Sequence, residues 1–400
     1  MPKSNYKKIS ETKSDGSTLA STVINMINSV IGTGSLTLSY GISQAGLSVG
    51  TIFFILSAFT SHQTFQYLAY VGQQTGIYVY KDIAHHLFKK KWIAVVMSII
   101  VIFYVCGSLA AYNVAIADNM FWFDNKFYSY ALLVAIEAVL IGPIACCKSL
   151  DVLKYNGYVT LITATYVSLI VVIFFFTNNI TPPPPCTQNC FKSSSFATLP
   201  LFLVSFCGHF STSYIYKEMQ NRSLPRFDIA IAGTAIILIF LNALNMYFGY
   251  FTFTETVSSD LLKTIAIHSK SSNLLKSANI AQIILLIAHY PATAFGARKN
   301  LESLIFKQAA PLWGTVTIVY LLMTLLTILT FFVDEIAQIL DFTGSLAGSF
   351  VILIFPSAMC LVVNKNLKVR WVDQIIPMAC LVYGFVVLIF GFVGSVIQWV

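Results

Sequence analysis

Apolar residues follow one another in blocks of about twenty along most of the chain, and the charged residues lie between these blocks. Segments 159–177 and 314–333 are typical, because neither contains a charged side chain. A helix of about 20 residues crosses the roughly 30 Å hydrocarbon core of a bilayer. The strict alternation of a membrane barrel strand is absent, so the pattern predicts membrane-spanning helices.

The pattern predicts eleven spans, numbered here in chain order. They cover residues 19–40, 46–71, 92–117, 127–146, 158–177, 196–216, 227–253, 274–297, 311–332, 336–363 and 375–399. Eleven helices with short loops use nearly the whole chain, which leaves no length for a soluble catalytic domain. The sequence also lacks the glycine-rich loop with Lys and Ser/Thr that holds ATP phosphates. We therefore expect an all-α polytopic membrane protein that is not an enzyme.

Composition and charge refine this expectation. The chain is 57% hydrophobic and 10% charged, with a mean hydropathy of +0.76, whereas soluble domains are about a quarter charged. The net charge is +8, and its distribution depends on the predicted spans. If the chain crosses the membrane at each span, 19 of the 24 Lys and Arg residues lie on the same side of the membrane as the polar tail, residues 1–17. The positive-inside rule places that tail in the cytosol and the C-terminus in the lumen or outside the cell. No nucleic-acid partner and no signal peptide are expected.

Two spans contain sequences that are poor helix formers at mid-membrane depth. Span 1 carries Gly32 and Gly34 within the segment 25–37, and span 6 carries Gly208 within the segment 206–213. Gly32 and Gly208 are 176 residues apart, close to half of a ten-helix core. Paired interruptions of this kind indicate an inverted-repeat transporter with its binding site at the breaks, since free N–H groups hold a carboxylate and free carbonyls an ammonium. The alternative is that these glycines only permit close helix packing.

The chain resembles the amino acid/auxin permease family, which includes vacuolar and sodium- or proton-coupled amino acid transporters. The segments that carry the resemblance are 25–34, 38–46, 80–88, 148–155, 207–219 and 290–298. The resemblance implies a leucine-transporter-like fold of two inverted five-helix repeats with helices 1 and 6 broken. It divides the chain into the tail 1–17, a core 18–363 with repeats 18–177 and 196–363, and a final segment 364–400 with the eleventh helix.

The resemblance also implies a substrate site on the backbone at the two breaks. Its residues are Ile31, Gly32, Thr33, Gly34, Ser35, Cys207, Gly208 and His209. Asn28 matches an asparagine that the family uses near substrate and ion.

Several ionisable residues lie within the spans, where they are costly and point to function. His289 replaces the hydroxyl residue that sodium-coupled members tend to have in span 8, and an imidazole is a poor ligand for a hard cation. Thr293 lies one turn further along the same face. Asn28, His289 and Thr293 are the candidate residues for coupling to a proton or an ion. The imidazole makes us favour protons, and sodium coupling, for which Thr293 still offers an oxygen, is the alternative. Glu137 is expected to bond within the helix bundle, and Asp341 to sit at a solvated helix end.

Two cysteines, Cys186 and Cys190, fall in the loop after span 5 on the outer side. An oxidising compartment would permit a disulfide between them, and two free thiols are the alternative.

These observations predict a secondary active amino acid transporter in a lipid bilayer, driven by an H⁺ or Na⁺ gradient without a cofactor and working by alternating access. A membrane amino acid sensor is the main rival, although 17 tail residues make a short cytosolic arm. A membrane enzyme or a channel is less favoured. The sequence leaves open the amino acid, the oligomeric state and the membrane, which is vacuolar, endolysosomal or plasma membrane.

Overall fold

The structure is a computed structural model that describes residues 16–120, 122–123, 125–147, 154–177, 193–268, 273–306, 310–333 and 336–399. Within these residues the chain is helical, apart from one isolated parallel β-bridge between Ser17 and Met219. The predicted all-α class is therefore confirmed.

The described residues in the first half of the chain form eight α-helices and one π-turn, Glu137–Ile141, between α6 and α7. The helices are α1 (Leu19–Val30), α2 (Gly34–Ala45), α3 (Leu47–Thr75), α4 (Tyr80–Phe88), α5 (Lys91–Asp118), α6 (Lys126–Ile136), α7 (Gly142–Ala145) and α8 (Lys154–Thr177).

In the second half, the part of the chain that the structure describes forms ten α-helices. It also has π-turns at Gly344–Gly348, Phe350–Ile354 and Val387–Gly391 and 3₁₀ turns at Ser193–Thr198, Thr254–Thr256 and Trp371–Gln374. The helices are α9 (Leu199–Val204), α10 (His209–Glu218), α11 (Leu224–Phe253), α12 (Leu261–His268), α13 (Asn273–Ile305), α14 (Leu312–Thr330), α15 (Ile336–Thr343), α16 (Phe355–Asn366), α17 (Ile375–Val386) and α18 (Phe392–Trp399).

Nine helical stretches among the described residues are long and apolar enough to cross a membrane, and the bent pair α1–α2 makes a tenth. Predicted span 2 corresponds to α3, which is not among these stretches, although its 29 residues suffice to cross the bilayer core. Its buried residues Ser57, Ser61 and Thr64 bring polar side chains to the protein interior. Large apolar side chains such as Ile52 and Ile236 are exposed, as a lipid-facing surface requires.

Prolines account for two of the π-turns. In one turn the Gly142 N–H bonds to the Glu137 carbonyl, and Pro143 is the next residue. In the other the Phe355 N–H bonds to the Phe350 carbonyl, and Pro356 is the next residue. Because proline has no N–H, the next carbonyl in each turn has no helical donor. Those carbonyls belong to Ala138 and Val351, and in both cases a tyrosine hydroxyl lies within hydrogen-bond distance.

Candidate functional site

Span 1 is broken in its middle. Its first half, α1, ends at Val30 and its second half, α2, begins at Gly34, and the two are bent by 55°. The span continues to Ala45, five residues beyond the predicted end, and stops where Gly46 adopts a φ of +84°. Three residues, 31–33, therefore lie outside regular helix at the predicted position.

Span 6 is broken at the matching place, between Val204 at the end of α9 and His209 at the start of α10. The two breaks touch. The Ser205 hydroxyl donates to the Gly34 carbonyl over 2.9 Å. A Cβ placed on Gly208 would lie 2.7 Å from Cγ2 of Val30, so a larger residue there would force the helices apart.

The first break exposes backbone donors. None of the hydrogen bonds among the described residues uses the N–H groups of Gly32, Thr33 or Gly34. The first N–H groups of α2 have no partner within their own helix, and the positive end of the helix dipole lies at the same point. This arrangement suits an anionic group such as a carboxylate.

A small cavity lies beside this contact and is lined by residues of both breaks. Its lining residues are Val30, Gly32, Thr33, Gly34, Tyr104, Ser108, Tyr112, Val204, Cys207, Phe210 and Leu340. None of them is charged. The cavity volume is about 10 Å³, close to the room that one water molecule needs, so the site is closed around its backbone groups in this conformation.

The structure sorts the predicted substrate residues into two groups. Four line the cavity: Gly32, Thr33, Gly34 and Cys207. Ile31, Ser35, Gly208 and His209 do not. The His209 ring is buried against α3 instead, where Nε2 lies 2.8 Å from the Thr64 hydroxyl and the ring stacks on Phe65 at 4.0 Å.

Seven lining residues were missed by the sequence analysis, and three of them carry polar side chains on one helix. Tyr104, Ser108 and Tyr112 all lie on α5, and Tyr112 is so close to the first break that a Cβ on Gly32 would be 2.8 Å from its hydroxyl. Their signal was present, since a spacing of four residues places polar side chains on one face of an otherwise apolar helix.

The three proposed coupling residues lie together. His289 Nδ1 is hydrogen-bonded to the backbone carbonyl of Asn28, and its Nε2 lies 3.0 Å from the Thr293 hydroxyl. The Tyr112 hydroxyl is 2.9 Å from the same Nε2. A carbonyl only accepts, so Nδ1 carries a proton and Nε2 accepts from the two hydroxyls in the neutral ring.

The Asn28 side chain points to a different neighbour. Its Oδ1 accepts a hydrogen bond of 2.9 Å from the hydroxyl of Thr160 on α8. Asn28 therefore links span 1 to two other spans. Span 5 contacts its side chain through Thr160, and span 8 contacts its backbone carbonyl through His289.

Two buried carboxyl groups lie away from the cavity. Glu137 accepts from the Thr327 hydroxyl at 2.7 Å and from the Tyr290 hydroxyl at 3.4 Å, which agrees with the expected bonding within the bundle. The expectation for Asp341 was wrong. This residue is 2% exposed because α15 packs it inside the helix bundle, and its Oδ1 has no hydrogen-bond partner among the described residues.

Cys186 and Cys190 lie outside the described residues, so their pairing stays a prediction.

Comparison with solved structures places this geometry in a known fold. The structure of MhsT in complex with L-phenylalanine matches with a TM-score of 0.57 and 13% identity, over 94% of this chain and 98% of that chain. A mutant form of a manganese transporter from Eremococcus coleocola matches with a TM-score of 0.58 and 13% identity, over 95% of this chain and 85% of that chain. The leucine-transporter-like fold is thereby confirmed.

Sequence comparison gives the family. A zebrafish (Danio rerio) protein named sodium-coupled neutral amino acid symporter 2 is 22% identical over 433 residues, which cover 98% of this chain and 85% of that protein. The sequence profile described as "Transmembrane amino acid transporter protein" matches residues 15–397. A match over nearly the whole length, on a chain with two facing helix breaks, shows that this protein belongs to the transmembrane amino acid transporter family.

Proposed function

We propose that this protein is a secondary active transporter that carries neutral amino acids together with protons. The observation that carries the proposal is the pair of facing breaks, with the N–H groups of Gly32, Thr33 and Gly34 on one side of the cavity and Cys207 on the other. The substrate carboxylate would bind these amides and the Tyr112 hydroxyl, and its ammonium would bind carbonyls near Cys207–Gly208.

The lining of the cavity supports a neutral substrate. The cavity has no charged lining residue, and its side chains Val30, Val204, Phe210 and Leu340 are apolar. A cationic side chain would lose its hydration here without gaining a partner, which is costly. The zebrafish relative is named as a neutral amino acid symporter, in agreement with this choice.

Proton coupling is supported by the surroundings of His289. The hydroxyls of Tyr112 and Thr293 can donate to a neutral Nε2 or accept from a protonated one, so both states of the ring find partners. An imidazole with this freedom can bind and release a proton. Sodium coupling is the second candidate, because the zebrafish relative is named as sodium-coupled.

We also propose the topology. The tail and the loop that contains α4 would face the cytosol, with the C-terminus in the lumen or outside the cell, in a vacuolar, endolysosomal or plasma membrane. The supporting observation is the excess of Lys and Arg on one side of the spans. The repeats would be 18–177 and 196–363, followed by 364–400.

Uptake into proteoliposomes tests the function. A panel of labelled neutral and cationic amino acids is offered with a pH gradient at constant sodium, and then with a sodium gradient at constant pH. We expect accumulation of a neutral amino acid with the pH gradient alone. Accumulation only with the sodium gradient would overturn proton coupling, and saturable binding without uptake or counterflow would indicate a sensor.

His289→Gln tests the role of the imidazole. Glutamine can still donate to the Asn28 carbonyl, but it binds no proton in the physiological range. We expect this variant to lose accumulation driven by a pH gradient while it retains exchange of labelled for unlabelled substrate. Proton-driven accumulation at the wild-type level would exclude His289 as the coupling group.

A further inference from the structure

The segment 80–88 forms α4, a short helix in the loop between α3 and α5, and its first residue enters the protein. The Tyr80 side chain is 1% exposed, and Ile83 and Ala84 behind it are fully buried. Lys81 fixes the same end of α4 through a hydrogen bond from its ammonium to the Ser303 carbonyl at the end of α13. The Tyr80 phenol is therefore positioned by a docked helix and is not free to rotate into solvent.

The Tyr80 hydroxyl has two acceptors on different helices. It lies 3.3 Å from the carbonyl of His209, the first residue of α10 after the span 6 break, and 3.4 Å from the carbonyl of Val351 in span 10. Both distances exceed the usual O–H···O length of about 2.7–2.8 Å. This geometry is typical of one proton shared between two acceptors.

The Val351 carbonyl needs an external donor. The Phe355 N–H bonds to Phe350 in the π-turn, and the following Pro356 has no N–H to offer. A buried carbonyl without any donor is costly, so a hydroxyl that moves away from His209 retains a favourable partner at Val351. Burial raises the pKa of the Tyr80 phenol, with a further contribution from the Cys207 thiol, so the hydroxyl keeps its proton and remains a donor.

We propose that Tyr80 is a gate residue of the cytosolic side. Its hydroxyl bonds to the His209 carbonyl when α10 closes the pathway beneath the cavity, and it bonds to Val351 alone when α10 moves away. The proposal rests on the proposed function, because it assumes that the broken helices move relative to span 10. The Tyr80 hydroxyl has an acceptor in both states, His209 or Val351 in the closed state and Val351 in the open one. Opening therefore breaks one shared hydrogen bond and leaves no buried donor unpaired.

The chain contains a matched control. The Tyr320 hydroxyl donates to the Ala138 carbonyl at 3.0 Å. That carbonyl also has no helical donor, because Pro143 has no N–H, just as Pro356 has none for Val351. Tyr320 therefore serves one π-turn carbonyl at a normal distance and has no second acceptor on a broken helix among the described residues. Tyr80→Phe and Tyr320→Phe remove chemically equivalent hydroxyls, and only the first removes a bond to α10.

Hydrogen–deuterium exchange of the purified full chain in lipid nanodiscs, without substrate, tests the gate. We expect Tyr80→Phe to speed exchange in peptides covering 209–218 by about five-fold, the change in population that one ordinary hydrogen bond produces. Tyr320→Phe should leave those peptides unchanged. Equal exchange of 209–218 in wild type and Tyr80→Phe would overturn the proposal.

Pro356→Ala separates the two acceptors. Residue 356 then supplies an N–H to Val351, so the Tyr80 hydroxyl serves His209 alone and exchange of 209–218 should become slower than in wild type. This variant also carries the test if Tyr80→Phe fails to fold. In the Pro356→Ala background, Tyr80→Phe should still speed exchange of 209–218. A loss of that effect would show that the hydroxyl acts only through Val351 and would overturn the gate.

The readout does not depend on transport. Normal uptake with unchanged exchange of 209–218 in Tyr80→Phe would overturn the gate and leave the proposed function intact. Failure of the wild-type chain to transport any amino acid would overturn both.

Discussion

Gly34 permits the contact between the two helix breaks. A Cβ at this position would lie 2.9 Å from the Ser205 hydroxyl and 3.0 Å from the Ser205 Cα, and a backbone atom cannot move aside as a flexible side chain can. We expect Gly34→Ala to lose substrate binding because the amides of the first break are displaced. Thermal stabilisation of the purified protein by the transported amino acid measures this loss.

Gly233 provides the control for Gly34. It lies within α11, and the nearest atom to a Cβ built there is Cγ2 of Val23 at 3.8 Å, an ordinary contact. Gly233→Ala should retain the full stabilisation by substrate. Undiminished stabilisation in Gly34→Ala would show that the close approach at Ser205 is not needed for binding.

At the scale of single residues, the sequence located the backbone of the site better than its side chains. The glycines of span 1 and span 6 predicted breaks because helix formation fails locally there, and Gly32, Gly34 and Cys207 do line the cavity. The direction of a side chain depends on its neighbours. His209 follows the break directly, yet its ring packs on Phe65 because α3 offers both a stacking surface and a hydroxyl.

Among the helices, the end of span 4 is fixed by one buried cation. Arg298 on α13 is 1% exposed and donates to the carbonyls of Ala145 and Cys147, both at 2.6 Å. These carbonyls lie at the C-terminal end of α7, where a cation is favoured by the helix dipole. Hydrogen bonds from charged groups contribute about 1.5–3 kcal/mol each.

Arg298→Met should therefore destabilise the protein by about 3 kcal/mol or more, because two charge-assisted hydrogen bonds are lost and the carbonyls stay buried. Thermal unfolding in detergent measures the change. Arg370→Met is the control, since Arg370 is 80% exposed in its pair with Asp373 and such pairs contribute at most about 1 kcal/mol. Similar unfolding midpoints for the two variants would contradict a capping role for Arg298.

The short helix α12 depends on a buried carboxyl group at its start. Asp260 Oδ1 accepts from the N–H of Leu262 at 2.9 Å, and Oδ2 accepts from the Asn119 side chain at 3.3 Å. The pKa of Asp260 is raised from 3.8 to about 6. Burial is the largest cause and the nearby Asp118 adds to it, while the helix N–H groups and Lys263 act in the opposite direction.

Because the folded-state pKa of Asp260 is raised, the folded protein binds this proton more tightly than the unfolded chain. The resulting stabilisation is complete below pH 3.8 and is lost as the pH rises through about 6. We expect the amides of α12 to exchange more slowly at about pH 5 than at about pH 7.5, after correction for the intrinsic effect of pH. Asp260→Asn keeps an oxygen that accepts from the first N–H groups of α12, and it should remove this pH difference in exchange. If the difference persists in the variant, a group other than Asp260 causes it.

The helices as units were more predictable than their interruptions. Long apolar segments predicted the spans well because burial in lipid requires helix at that length. The π-turns were not predicted. Two of the four among the described residues, Glu137–Ile141 and Phe350–Ile354, occur where Pro143 and Pro356 remove a helical donor and a tyrosine distant in the sequence, Tyr320 or Tyr80, replaces it. Burial of Asp341 likewise depends on how α15 packs, which the local sequence does not encode.

For the molecule as a whole, the contacts fit one closed state of the proposed transport cycle. On the face that carries α4, the Phe295 ring lies edge-on to Tyr214 of α10 at 5.4 Å, and a Cβ on Gly296 would be 2.6 Å from Phe210. The volume between the two breaks is near that of one water molecule. The pathway on this face is closed, so transport requires α10 or α1 to move away from α13.

The chain ahead of α1 is attached to the end of α10 on the same face. Ser17 donates its N–H to the Glu218 carbonyl at 2.8 Å and accepts from the N–H of Gln220 at 2.9 Å, which forms the bridge to Met219. A Cβ on Gly16 would lie 2.7 Å from the Glu218 carbonyl oxygen, so glycine permits this approach. The bridge joins the ends of the two broken spans that lie on the face of α4.

If alternating access separates these ends, a covalent bond between them must stop transport. We expect the double variant Ser17→Cys/Met219→Cys to lose uptake after oxidation and to regain it after reduction, since paired residues of a β-bridge lie within the Cα distance that a disulfide allows. Each single variant, oxidised in the same way, controls for the native cysteines. Full uptake by a chain that is demonstrably cross-linked would mean that α1 and α10 move as one body, and the opening would then have to occur between this pair and α13.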